Sequence, residues 1–445
     1  MTSQMLEQFV NVVRNLSTEG NWRELCDYLS KSSEVLLRNG AHLDNVLSTF
    51  DPQVHSLGVL AILCVKFAII NQNGVQAQGI ALPEFETLLQ QFSNFVSTCN
   101  GEQIRCAPDS FAELCHSFTQ SLIDRQCPIR GIGSLVKAVR KARLNESQLT
   151  SIHSDLLQLC LMAKCPKPAL EFLNFDINDI NQENSRFDAK HFLLYYYYGG
   201  LIYASMKNYE RSLYFFEVAL TTPSSAISHI MLESYKKYIL ISLILHGKVA
   251  PLPKYTSQVV NRFLKPICQP YQEIANVFAN NKPSALEAVL SKHSDLLQRD
   301  NNYGLAKQVQ KSLYKKIIQR LTQTFLTLSL NDMAMRVQLS SVEEAEKLVL
   351  KMIEDGEIYA SISQKDGMVS FRDCPDKFNS PQTLHRLQKE ISLCMELDAQ
   401  IQRMEEEICV NPQYVKKASG AIDDEQVPLQ AAAAAATSKI PSFSM

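Results

Sequence analysis

Cysteine and histidine are the side chains here with the most chemistry to offer: a nucleophilic thiolate, a redox pair, or a held metal ion. Among the chain's 445 residues, the twelve cysteines are Cys26, Cys64, Cys99, Cys106, Cys115, Cys127, Cys160, Cys165, Cys268, Cys374, Cys394 and Cys409. None of them forms a C-x-x-C pair, the spacing that lets neighbouring thiolates grip one zinc ion. The nine histidines include no H-x-H and no H-E-x-x-H, so a zinc-bound water for hydrolysis has no local ligand set. Cys115 and His116 are neighbours on a helix and face different directions, so adjacency alone makes no thiolate–imidazole couple. No G-x-x-x-x-G-K loop is present to cradle a phosphate, and Gly131-Ile132-Gly133 lacks both the third glycine and a preceding strand. These local patterns point away from an enzyme and from any metal or cofactor. A site assembled from residues distant in sequence stays open at this stage. The thiols fit small buried apolar residues of a reducing compartment.

The element that says most is near residue 330. Ser341 to Gly356 reads as a capped helix: Ser341 and Glu344 form a capping box, and Gly356 supplies a left-handed stop. Ala345, Leu348, Val349, Met352 and Ile353 share one face at helical spacing. A two-stranded hairpin follows. Ile358, Ala360 and Ile362 alternate with Tyr359 and Ser361, Asp366-Gly367 makes a tight turn, and Val369 and Phe371 return. Helix, helix, hairpin outlines a winged helix. Its last helix carries Glu343, Glu344, Glu346, Glu354 and Asp355 against Lys347 and Lys351. A DNA-reading helix needs the opposite balance, because phosphate neutralisation supplies much of the affinity. The module reads as a protein-contact device.

Composition agrees. With 44 basic and 46 acidic side chains and a net charge of −2, nothing in the overall balance suggests a polyanion binder or a strongly basic arm. No secretory signal is expected from Met1 to Val10. Leu57 to Ile70, interrupted by Lys66, is too short to span a bilayer and reads as a buried helix. Amphipathic segments cover Met5–Leu16, Trp22–Leu37, Leu57–Ile69, Glu84–Cys99, Asp109–Ile123 and Gln148–Leu161. Asn71 to Leu82, uncharged and rich in Gln, Asn and Gly, reads as a flexible surface insertion. The expected class is mainly α, with a helical solenoid.

One repeat can be registered. Tyr196, Gly200, Tyr203, Phe216 and Ala219 occupy the positions of a tetratricopeptide-type hairpin, with Ser212 where the two helices cross and Pro223 closing one place early. Leu157, Cys160, Ala169 and Leu173 give a weaker echo. Tyr195 to Tyr198 would cover all faces of a helix, so packing is favoured over base stacking. Ser234 to Tyr238 and Tyr314-Lys315-Lys316 read as basic spots on solvated helix faces.

Pro381 opens a further helix. Its apolar seam comprises Leu384, Leu387, Ile391, Cys394, Leu397, Ile401, Met404 and Ile408, spaced by threes and fours near the coiled-coil period. Such a seam docks on its own chain or joins an intermolecular bundle, and the second is the sharper reading. Beyond Asn411 the tail, with Asp423-Asp424-Glu425 and a six-alanine run, holds too little apolar content to fold alone.

Helical repeats running into a winged helix and a terminal helix resemble the PCI architecture, shared by scaffold subunits of the proteasome lid, the COP-nine signalosome and translation initiation factor three. Asn100-Gly-Glu, Arg130-Gly-Ile-Gly, Asp188-Ala-Lys-His-Phe, Tyr195 to Gly200, Ser228 to Leu240, Pro253 to Gln258 and Gln364 to Phe371 resemble the third-subunit family of the signalosome. That likeness extends to about Val415 and departs at Ile69 to Leu82 and in the tail. It implies helical repeats over 1–195, a PCI domain over 196–375 (helical to 320, winged helix 321–375), a bundle helix over 381–410 and a disordered tail over 411–445. It implies a non-catalytic scaffold that supports removal of a ubiquitin-like modifier from cullins, and so tunes cullin–RING ubiquitin ligases. The implied partners are other PCI-type subunits and a metalloprotease subunit, with no nucleic acid and no membrane, in cytoplasm and nucleus. Contacts would involve the helix from Ser341 and the hairpin residues Ile358, Tyr359, Ile362, Met368, Val369 and Phe371, with the seam Leu384 to Ile408 in the bundle. Lid or initiation-factor scaffolds, and a nucleic-acid-binding winged helix, are the alternatives.

Overall fold

Apolar residues recurring at three- and four-residue spacing make nearly every element a helix, and the helices stack in antiparallel neighbours. The computed structural model describes residues 2–74, 82–180, 188–224, 226–339, 341–372 and 380–418. The first helices are Thr2–Glu19, Trp22–Arg38, Leu43–Ser48, Ser56–Gly74, Leu82–Thr98, Gly101–Cys106, Pro108–Asp124 and Ile129–Ala142. Ser56–Gly74 is the expected buried helix: Leu57, Leu60, Ile62, Leu63 and Phe67 are all inside the core. Asn71 to Gly74, read as the start of an insertion, instead form its last turn, and 75–81 lie outside the described residues. Gln148 and Leu149, assigned to a helix from sequence, pair in parallel with Asp179 and Ile180, and the helix begins at Ile152. Leu149 is buried there, so an apolar pair can serve a strand as readily as a helix.

The repeat registered from sequence is the hairpin Ala189–Ser205 with Tyr209–Thr221. A Cβ on Gly200 would lie 2.8 Å from the Phe216 ring, and one on Gly199 2.6 Å from Phe215. The helices approach closely because these positions carry no side chain. The echo residues Leu157, Cys160, Ala169 and Leu173 pack in the same core, on Ile152–Met162 and Lys167–Leu173. Of the four consecutive tyrosines, Tyr195 and Tyr196 are buried and Tyr197 and Tyr198 half-buried. They pack edge-on or tilted against one another and against Phe215 and Phe216, and present no stacking platform.

His229–His246 follows, then a short π-helical turn at Val260–Leu264, Gln269–Ala279, Pro283–Lys292 and the long helix Tyr303–Thr324. The two lysine spots are not solvated faces. Lys236 bridges Glu233 at 2.7 Å and Asp300 at 2.8 Å, and Lys237 bonds Glu233 at 3.2 Å, with both lysines largely buried. Lys315 pairs with Asp355 and Glu357, and Lys316 donates to the Gly247 carbonyl. Lys236, Lys315 and Lys316 each found an acceptor far away in sequence, which a local reading has no means of seeing.

Tyr303–Thr324 joins two cores. Ala306, Val309 and Leu313 belong to the large core, and Ile318 to a smaller one. The boundaries drawn at 195/196 and 320/321 therefore fall inside continuous helices. The small core gathers Leu328, Leu330, Met333, Val337, Val349, Met352, Ile358 and Val369 beneath the helices Leu330–Val337 and Val342–Glu354. Ser341 caps the second of these by accepting the Glu344 amide at 3.2 Å, and Gly356 lies at φ 70° after it. The sheet has three strands, in the order Thr327–Ser329, Met368–Phe371, Ala360–Ser363. The hairpin thus acquires a third strand that its own sequence does not announce. The hairpin loop spans four residues, Gln364 to Gly367, rather than a two-residue turn, with Gly367 at φ 63° and Ser363 bonded to the Asp366 carboxylate.

The terminal helix runs Pro381–Val410, capped by Ser380 at its start. A short helix, Pro412–Ala418, occupies the beginning of the stretch expected to be tail, because Asn411 caps it by accepting the Gln413 amide. The acidic and alanine runs lie outside the described residues.

Candidate functional site: protein-contact surfaces

The winged-helix sheet has one central strand and two edges, and this decides which of its residues can meet a partner. Met368–Phe371 is bonded on both sides. On the Ala360–Ser363 side, the Arg372 amide donates to the Tyr359 carbonyl at 2.8 Å. Alternation then turns the backbone groups of Ser361 and Ser363 inward and those of Ala360 and Ile362 outward. On the other side, the Phe371 amide donates to the Leu326 carbonyl at 2.8 Å, and the Leu330 amide to the Gly367 carbonyl at 2.9 Å. Thr327 and Ser329 therefore face out on that edge. Unpaired edge groups are a template for another chain.

Side chains obey the other alternation, and here the sequence reading needs correction. Ile358 and Val369, assigned to a contact surface, are buried, 4% and 0% exposed, in the small core. Ile362 and Phe371 are half-buried against the same core. Period-two spacing separates two faces of a strand without saying which is covered. The two helices cover this one. Tyr359 and Met368 belong to the opposite face and are half-buried. What this module offers outward is the backbone of its two edges, Ala360–Ser363 and Thr327–Ser329, and the face carrying Tyr359 and Met368.

The terminal helix is the second surface. Every seam residue named above is exposed: among them Leu384 is 69%, Ile391 59% and Met404 59% exposed, and Cys394 is exposed as well. Leu393 and Met395, missed in the seam reading, flank it on opposite sides and are exposed too. The apolar band is therefore broader than a strict two-stranded seam, and suits packing among several helices. Covering one such Leu or Ile contributes about 1.5–3 kcal/mol, so this helix carries a large unspent driving force.

The remaining polar clusters do other work. A cleft of about 680 Å³ lies where helices begin at Pro108, Ile152 and Ala189. In it His116 bonds Asp155 at 3.3 Å, and His191, on its wall, meets the buried Ser154 at 3.1 Å. Ser154 is buried and donates its proton to the Ser151 carbonyl at 2.7 Å, so it is not poised as a nucleophile. The hydrogen bond to Asp155 raises the His116 pKa above the ordinary histidine value, and burial lowers that of His191. Burial pushes the thiols of Cys64 and Cys160 up to about 12 and Cys268 to about 11, and Cys115 well above the usual range. Those are inert core thiols. Cys106, Cys394 and Cys409 differ from the sequence expectation in being exposed. Among the described residues no cluster of three His, Cys, Asp or Glu could hold a metal, and no helix is long and apolar enough to cross a membrane.

Comparisons with known proteins accord with this architecture. The model for COP9 signalosome complex subunit 3, N-terminal helical repeats, matches residues 19–260, and the PCI domain model matches 290–373. A Drosophila melanogaster protein named COP9 signalosome complex subunit 3 is 49% identical over 435 residues, covering 94% of this chain and 96% of that protein. The Dictyostelium discoideum protein of the same name is 39% identical over 395 residues, covering 88% and 92%. With relatives of 49% and 39% identity that cover most of both chains, this chain belongs to the COP9 signalosome complex subunit 3 family.

Proposed function

We propose that this chain is a non-catalytic scaffold subunit of the COP-nine signalosome, and that it supports cullin deneddylation and so the regulation of cullin–RING ubiquitin ligases. One observation carries the reading: a 30-residue helix stands beyond a finished domain with its whole apolar seam in solvent. A folded chain does not leave such a band uncovered without a partner to cover it. The sheet edge at Ala360–Ser363 adds a second valence of a different kind, met by strand or helix addition. Two unlike surfaces let one chain hold two neighbours at once. The neighbours proposed are other PCI-type subunits, with the metalloprotease subunit held in the same assembly, in cytoplasm and nucleus.

The test is capture of the tagged full-length chain from extract at moderate salt, with the co-purifying proteins weighed by native mass spectrometry. The reading expects an assembly of several PCI chains and a metalloprotease subunit. Recovery of lid or initiation-factor subunits in their place would move the chain to a different complex.

A further inference from the structure

Between Glu233 and Glu273 the chain has no acidic residue, yet it has Lys236, Lys237, Lys248, Lys254, Arg262 and Lys265. Such an imbalance is unusual in a protein whose overall charge is −2. The two flanking carboxylates are already used: Glu233 by Lys236 and Lys237, Glu273 by Lys292 and His293. Lys248, Lys254, Arg262 and Lys265 are exposed, and none has an ion-pair partner among the described residues. Among them and just beyond them in sequence stand Tyr255, 75% exposed, Phe263, 49%, and Ile267, 57%. Basic and apolar groups share one stretch of surface.

That surface has a socket. A cavity of about 310 Å³, lined by Tyr235, Tyr238, Val249, Leu252 and Lys265, opens beside it. Its loop wall is held in place. Ser242 donates to the Lys248 carbonyl at 2.9 Å and accepts the Ala250 amide at 2.7 Å, and Tyr238 donates to the Ala250 carbonyl at 3.3 Å. The opposite wall contains Asn261 and Lys265, at the π-helical turn Val260–Leu264. Turns of that kind are uncommon and concentrate at functional sites. None of the socket's lining residues belongs to the sheet edge Ala360–Ser363 or to the terminal helix Pro381–Val410.

We infer that this surface binds an acidic peptide segment bearing one bulky apolar side chain, the apolar group entering the socket and flanking carboxylates meeting Lys265, Arg262, Lys254 and Lys248. A concave cavity walled by Tyr238 and Leu252, with Lys265 at its wall, gives an apolar side chain a place to enter beside a cation, which favours a peptide.

The experiment is fluorescence anisotropy with the full-length chain. The probe is a fluorescein-labelled peptide of alternating Asp and Glu around a single central Phe. The expected result is saturable binding that weakens with salt, drops when the central Phe is Ala, and falls about tenfold in Lys265→Glu with circular dichroism unchanged. Lys254→Glu, at a second exposed position, is expected to weaken binding in the same direction. Equal binding of the Ala peptide, unchanged affinity in both variants, or no saturable binding would overturn the inference. So would tighter competition by phosphatidylserine vesicles or by an oligo-dT strand, which would reassign the surface to a lipid or nucleic-acid polyanion.

Discussion

The Ser212 hydroxyl donates to the Gly200 carbonyl at 2.8 Å, across the crossing of two helices that share the fully buried ring of Phe216. Small size is required at both ends of this bond. Gly200→Ala places a methyl within 3.0 Å of three Phe216 ring atoms, and is expected to destabilise the chain by about 1–3 kcal/mol through overpacking. Ser212→Ala loses one buried hydrogen bond, about 1 kcal/mol. Urea unfolding of the two variants checks both the direction and the order.

The Lys236, Lys237, Glu233, Asp300 cluster is a buried charge network, with Tyr271 donating to Asp300 at 2.7 Å. Removing one partner strands the others, so Asp300→Ala is expected to cost about 3–5 kcal/mol. Burial alone would raise the Asp300 carboxyl, but the bonds from Lys236 and Tyr271 prevail and hold it below its ordinary value. A depressed carboxylate stabilises the fold above its unfolded pKa, and that contribution disappears as pH falls through the folded one. Thermal melts in acid should therefore show less acid sensitivity in Asp300→Ala than in the parent chain, from a lower starting stability.

His153 and His116 titrate in opposite directions. Burial lowers His153 to about 4. Its contribution to stability is present above the ordinary histidine pKa and is lost progressively as pH drops towards 4. The hydrogen bond to Asp155 raises His116, so its contribution is full below the ordinary value and fades as pH rises through the folded one. NMR titration of the ring protons separates the two, and Asp155→Asn is expected to bring His116 down without moving His153 upward.

Thiol alkylation under native conditions should mark Cys106, Cys394 and Cys409 first, because they are exposed. Cys115 and Cys160 should remain unlabelled until the chain unfolds, since burial raises both thiols. Mass mapping of the labelled peptides reads the order directly. Protection of Cys394 on adding the partner subunits would follow from its place in the seam.

Much of this architecture was legible in local spacing. The repeat hairpin could be registered because Gly200, Ser212 and Phe216 are each demanded by the close crossing. The winged helix was legible from the cap at Ser341 and the stop at Gly356. What spacing could not convey was partnership at a distance. Thr327–Ser329 has one buried residue, Leu328, and becomes a strand only because Ser370 and its neighbours offer backbone groups. Lys236 is buried because Asp300 arrives from another helix. That Ile358 and Val369 face inward is not legible from alternation, which carries no sign. The terminal seam was legible from its period, and its exposure is a property of the whole fold.

The central claim is that the terminal seam exists to meet other chains. Ile391→Asp combined with Ile401→Asp, two exposed positions, should leave circular dichroism and thermal stability of the isolated chain nearly unchanged, and should sharply reduce co-purification with the other signalosome subunits. Undiminished assembly by the double variant would contradict the account.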